Sequence, residues 1–235
     1  MLKLLSPNFF IKVEKVLLPI LLVCLPITLS IGLYYALFSS PPDYQQGEMV
    51  RVMYVHVPAA WMSLAIYSFM AICSFSALVW KTRMSYILAV SAAPIGAIFA
   101  LITLVTGSIW GKPIWGTWWV WDARLTSMLI LFLLYISYIA IINSGSNLLR
   151  AEKPASVMAL IGFINIPIVK FSVDIWYSLH QPASVLKMGG PSIHSSMLLP
   201  LMIMFASFVI FFAITLLMRT KTLINTLKHN NGKNL

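Results

Sequence analysis

Six long apolar runs constrain this chain more than any other feature. They fall at about Val16 to Phe38, Ala59 to Trp80, Tyr86 to Gly107, Leu125 to Asn143, Val157 to Trp176 and Ser195 to Met218. Each is close to the ~20 residues that a helix needs to cross the ~30 Å hydrocarbon core of a bilayer. Charged residues make up only 9% of the chain and hydrophobic ones 60%, against roughly 25% and 45–50% in soluble domains. A water-facing surface cannot be built from so few charges, so the expected solvent is the bilayer. The expected fold is all-α: one transmembrane domain of six helices over residues 1–235, with no soluble domain. The first run reads as a helix and not as a cleaved signal. It exceeds the roughly 7–15 apolar residues of a signal, and no small-residue cleavage site follows it.

Sixteen Lys and Arg face six Asp and Glu, a net charge of +10. On a soluble fold that balance would suggest nucleic-acid binding. Here the basic residues sit in short loops and tails between apolar runs, which is how topology signals are placed. With the N-terminus inside, Lys3, Lys12, Lys15, Lys81, Arg83, Arg150, Lys153, Arg219, Lys221, Lys228 and Lys233 are cytoplasmic. Arg51, Lys112, Arg124 and Lys187 lie in outer loops, and Lys170 lies within the fifth run. This imbalance puts both termini on the cytoplasmic side. Cys24 and Cys73 occupy separate apolar runs without metal or CxxC spacing, and read as small core residues. The chain has no GxxxxGK[ST] loop, so it carries no ATPase of its own.

The chemistry gathers in the outer loops. Residues 108–126 form a Trp-rich loop in which Trp110, Trp115, Trp118, Trp119 and Trp121 precede Asp122 and Arg124. An aromatic belt at the membrane interface accounts for one or two Trp per helix end, not for five together. If the stretch from Trp115 is helical, Trp115, Trp118 and Trp119 share one face and make a flat, polarizable platform for a large planar ligand. His56 precedes the second helix, with Pro58 in its first turn. His180 follows the fifth helix, so both imidazoles reach the outer face at similar depth and could ligate one haem iron. His194 lies on the same side, and depth does not separate it from the other two. A three-His zinc site lacks a close His pair and leaves the Trp cluster unexplained. Asp122 suits a helix N-terminus. Arg124 suits either that cap or the fork-like binding of a haem propionate. Lys170 and Asp174 stand four apart, able to pair on the fifth helix or to support His180.

The motif Trp115-Gly-Thr-Trp-Trp-Val-Trp-Asp-Ala-Arg-Leu-Thr126 resembles that of the WWD family of haem-handling membrane proteins. His56-Val-Pro-Ala-Ala-Trp61, Gly107-Ser-Ile-Trp-Gly-Lys-Pro113 and Leu179-His180-Gln181 extend the resemblance over nearly the whole chain. Within that family the short six-helix plan is similar to the cytochrome c maturation C group (CcmC, haem exporter protein C). The larger members join haem to apocytochrome. The resemblance implies haem b bound at the periplasmic face of the bacterial inner membrane, or its mitochondrial equivalent, and presented to the haem chaperone CcmE. It implies work beside the small subunit CcmD and the ABC transporter subunits CcmA and CcmB. By the same resemblance His56 and His180 are the axial iron ligands. Trp115, Trp118, Trp119, Trp121, Asp122 and Arg124 are the haem-binding motif, and His194 falls outside the pattern. Binding and delivery, without an enzymatic step on this chain, is the favoured expectation. A haem-translocating permease subunit is the alternative, disfavoured because the inner helix halves carry few polar groups and no His. A redox enzyme would hold its His at membrane depth between helices.

Overall fold

The computed structural model describes residues 6–145, 148, 150–176, 178–180, 184–185 and 189–232. Lys3, Lys187 and Lys233 of the charge pattern, and Gln181 beside His180, lie outside the described residues. The helices are α1 (Pro7–Tyr34), α2 (Met53–Trp80), α3 (Arg83–Trp115), α4 (Ala123–Asn143), α5 (Glu152–Phe163), α6 (Asn165–Ile175) and α7 (Ser195–Gly232). A π-helical turn, Tyr35–Ser39, extends α1, and a 3-10 turn, Glu48–Val52, leads into α2. Counting α5 and α6 as one span, six helices are long and apolar enough to cross a membrane. The all-α six-span architecture is the one the apolar runs predict.

Helices α1 and α7 reach beyond their apolar runs at the basic end, and three further differences from expectation bear on the site. His56 falls within the first turn of α2 and Pro58 within its second, one turn later in the helix than expected. The 3-10 turn has already set helical geometry by Met53, so Pro58 withholds only the bond that would have reached the Tyr54 carbonyl. Residues 108–115 belong to α3, so the Trp-rich loop narrows to 116–122. Gly116 ends that helix in the left-handed region, φ 75°, a conformation glycine adopts without steric cost. The fifth run breaks at Ile164, because Pro167 cannot donate to the Phe163 carbonyl and its ring crowds that turn. Asn165, buried at the break, donates from Nδ2 to the Ser127 carbonyl at 2.9 Å and ties α6 to α4.

The core forms around α3, which packs against α2, α4 and α7, while α1 packs on α7. On α3, Ala89, Ala92, Ala93, Ala97 and Ala100 are all buried. Small residues let helix backbones approach where no hydrophobic force from lipid pushes them together. The space they leave is filled by tyrosines. Tyr67 and Tyr135 meet edge-to-face with centroids 4.9 Å apart, and the Tyr135 hydroxyl donates to the Ser63 carbonyl at 2.7 Å. At the opposite, basic end, buried Glu14 of α1 accepts from Lys221 Nζ of α7 at 2.9 Å. There, too, Arg219 Nε donates to the Ser91 carbonyl at 3.2 Å.

A methyl group at Gly96 would run into the Tyr135 ring, whereas one at Gly145 meets nothing within 4 Å. Gly96→Ala is therefore expected to lower stability by about 1–3 kcal/mol through overpacking. Gly145→Ala should change it little. Thermal melting of the two purified variants in detergent distinguishes these outcomes.

Candidate functional site

The connections between α1 and α2, between α3 and α4 and between α6 and α7 all lie on one side of the bundle, opposite the basic end. There a cavity of about 310 Å³ opens among α2, α3, α4, α6 and α7, within the usual range for small-molecule sites. His56, His180, Trp115, Trp119 and Arg124 line it together.

His56 projects from the first turn of α2 against α3. Gly107 makes this approach possible, since a Cβ there would stand 3.0 Å from His56 Cε1. His56 Nδ1 lies 3.0 Å from Thr106 Oγ1. The single Thr106 hydroxyl proton is given to the Ile102 carbonyl at 2.6 Å. Thr106 must then accept, so Nδ1 carries the imidazole proton and Nε2 keeps its lone pair. Trp110, one turn beyond Thr106, contacts the His56 ring edge-on at 5.6 Å. Its indole donates to Gln46 Oε1 at 2.8 Å, closing the 41–47 segment over α3.

His180 is held by a different set of groups with the same result. Its Nδ1 lies 3.1 Å from Asp122 Oδ2. A carboxylate only accepts, so Nδ1 again holds the proton and Nε2 is left with its lone pair. Asp122 is buried and does three things at once. Its Oδ1 accepts the Leu125 N–H at 2.8 Å as the N-cap of α4. Its Oδ2 accepts from the Ser178 hydroxyl as well as from His180. Burial raises the Asp122 carboxyl's pKa, but donation by Ser178, the Leu125 amide and His180 outweighs it, and the net displacement is downward. Burial also holds the His180 pKa below its ordinary value, against the opposing pull of Asp122. At neutral pH the contact is therefore a hydrogen bond from a neutral imidazole and not an ion pair. The Trp115 ring packs on His180 at 4.7 Å.

The remaining motif residues divide. Arg124, in the first turn of α4, reaches α6, donating from Nε to Ser172 Oγ at 3.3 Å and from Nη2 to the Lys170 carbonyl at 3.4 Å. Trp119 lines the cavity, and its buried Nε1 has no partner among the described residues. Trp118 and Trp121 are 57% and 75% exposed and are not among the residues that line the cavity, although the Trp121 ring meets that of Trp119 edge-on at 5.4 Å. The single helical face for Trp115, Trp118 and Trp119 does not form, because Gly116 ends the helix between them. Lys112 Nζ stands 5.8 Å over the Trp118 ring and donates to the Gly116 carbonyl at 3.0 Å. Asp122 stands behind His180 and not on the cavity wall. His194 is exposed, with Nδ1 against Ser196 Oγ at 2.8 Å. Sequence reasoning did not single out Thr106, Ser178 or Trp61 for the site. Thr106 and Trp110 carry the only advance signal, four residues apart on the helix that faces His56.

The family model described as Heme exporter protein C matches residues 1–234. The chain belongs to the Heme exporter protein C (CcmC) family. It is 47% identical to the Heme exporter protein C of Bradyrhizobium diazoefficiens over 88% of this chain and 78% of that relative. It is 42% identical to that of Escherichia coli K12, over 88% and 83%. A putative cytochrome c biosynthesis ccmC-like mitochondrial protein of Marchantia polymorpha is 48% identical, over 83% of this chain and 82% of its own length.

Asp122→Ala removes both the α4 cap and the acceptor that fixes the His180 ring. Loss of the cap alone is expected to cost about 1 kcal/mol, read by thermal melting. The freed imidazole should also populate both tautomers, seen as altered 15N shifts of labelled histidine. A variant with an unchanged His180 signal would remove Asp122 from this role.

Proposed function

We propose that this cavity binds haem b as cargo at the periplasmic face of the membrane and presents it to the chaperone CcmE for cytochrome c maturation. His56 and His180 serve as axial ligands to the iron, and Trp115 and Trp119 lie against the macrocycle. The observation that carries this reading is the pair of imidazoles on one apolar cavity, each with Nδ1 engaged and Nε2 left with its lone pair. Ligating histidines are usually oriented by such a partner on the second nitrogen. The orphan indole N–H of Trp119 and the guanidinium of Arg124 suit acceptor atoms on the rim of the cargo. Family membership adds support, since the relatives are named for heme export and cytochrome c biosynthesis. The site lies opposite the basic end, which the positive-inside rule assigns to the cytoplasm of a bacterial cell, or to the corresponding side of the mitochondrial inner membrane. CcmD, CcmA and CcmB are the partners this reading implies.

Binding for delivery fits better than translocation through the chain. Below the cavity the bundle is filled by Tyr67, Met70, Leu131 and Tyr135, all fully buried. A path for so large a cargo would need a polar or hydrated route there. Delivery asks only for an accessible site that can exchange its ligand.

Haem bound to the purified wild-type chain should give a six-coordinate, low-spin spectrum. His56→Ala and His180→Ala should each produce a five-coordinate form or lose haem, and unchanged spectra in both would end the ligand assignment. The tryptophans should separate into two classes. Trp115→Ala and Trp119→Ala are expected to lower haem retention, while Trp118→Ala and Trp121→Ala leave it near wild type. Equal loss from all four would favour a general aromatic belt over two walls of a cavity.

A further inference from the structure

The short connection between α1 and α2 is fixed at both its base and its tip. At the base the Ser40 and Tyr54 hydroxyls are hydrogen-bonded, and Arg51 Nη1 donates to the Ala36 carbonyl at 2.8 Å. At the tip Asp43 Oδ1 accepts the N–H groups of Gln45 and Gln46, each at 2.8 Å. Asp43 and Gly47 exchange backbone bonds at 3.2 and 2.8 Å. Gly47 closes the turn at φ 57°, a region that side-chain-bearing residues rarely adopt. Within this frame Tyr44 is 90% exposed to water, whereas Gln46 is half-buried and lines the cavity.

The Gln46 amide is only half used. Its Oε1 accepts from the Trp110 indole at 2.8 Å. An indole N–H only donates, so the oxygen must be the atom that meets Trp110, and Nε2 keeps both of its N–H groups. Nε2 has no hydrogen-bond partner among the described residues. Trp110 also meets His56 edge-on, which places this amide on the His56 side of the cavity. No Asp or Glu lines the cavity among the described residues. Polar donors withdrawn from water are costly unless something accepts from them, and ligand sites in apolar cavities are oriented by a few such groups.

We infer that Gln46 is a cargo-binding residue, whose Nε2 donates to a carboxylate on the edge of the cargo while Oε1 stays with Trp110. This rests on the haem reading above and adds to it a polar contact outside the Trp-rich motif. The strong acceptors at the rim of haem b are its two carboxylates, and a hydrogen bond to an ionised acceptor is among the stronger ones. Because the 41–47 segment is already ordered, little conformational freedom is lost in making the contact.

The test uses the full chain in lipid nanodiscs, titrated with ferric haem and with its dimethyl ester, which keeps the iron and the ring and lacks both charges. Wild type, Gln46→Glu and Gln46→Met are compared by Soret absorption. Gln46→Glu keeps an acceptor for the Trp110 indole and removes both donors, and Gln46→Met removes the donors without adding charge. Each is expected to weaken haem about tenfold or more, the scale of a lost charge-assisted hydrogen bond. Each should weaken the ester far less, and the spectra of both bound ligands should match wild type because the iron ligands are untouched. If either variant leaves haem binding unchanged, or weakens haem and ester equally, the contact is overturned with iron ligation intact. Selective weakening by Gln46→Glu alone would mark charge repulsion and overturns it as well. Failure of wild type to bind either ligand with a spectrum that depends on His56 and His180 would strike the haem reading itself.

Discussion

Hydrocarbon offers no hydrogen bonds, so every peptide group inside it must find a partner within the chain. The rest of the architecture follows from that constraint. Irregular backbone is driven to helix ends, and three of the connections between helices collect at one end of the bundle. The break at Ile164 is tolerated within the membrane because Asn165 closes it with a bond to α4. A site that needs loops, turns and polar side chains can then form only where those segments meet. The cavity lies there, floored by the packed tyrosines of α2 and α4.

At that end the charges are sorted by direction. Asp122 stands behind an imidazole, Arg124 lines the cavity, and both imidazoles hold their protons on the side away from it. The sorting matters because a cation behind His180 would leave its Nδ1 proton without an acceptor. The depressed pKa values of Asp122 and His180 push stability the same way. Each contribution is present above the unfolded value, roughly 3.9 for Asp and 6.5 for His. Each is lost as pH falls through the lower folded value. Acid therefore loosens the His180 corner first from the histidine side and then from the carboxylate side.

The spans were legible in the sequence because length and apolarity are what a bilayer selects. The shared end of His56 and His180 followed too, since an N-terminal end of α2 and a C-terminal end of the fifth span emerge on the same side. What failed to show was anything set by a side chain meeting a distant one. Asp122 lies 58 residues from His180 in sequence, and its spacing advertised only a helix cap. The last two turns of α3 were hidden by Gly111 and Pro113, which resemble loop residues until the buried face of that helix is known. Trp118 was grouped with Trp115 and Trp119 by helical spacing, and Trp121 with them by the motif's resemblance. A single left-handed glycine, Gly116, ends the helix after Trp115, and of the three that follow only Trp119 reaches the cavity wall.

The two imidazoles are held by unequal supports. His56 belongs to a helix, is wedged against Gly107 and is oriented by Thr106 from a neighbouring helix. Moving it means unwinding the start of α2 behind Pro58. His180 belongs to a non-helical segment, and its position depends on Asp122, on Ser178 Oγ, which accepts its amide N–H at 3.1 Å, and on the Trp115 ring. Displacing it breaks a few hydrogen bonds near the surface and leaves the helical core intact. On the delivery reading proposed above, the cavity must give up one contact without dismantling its floor. In this fold the cheaper contact to give up is the one on the loop.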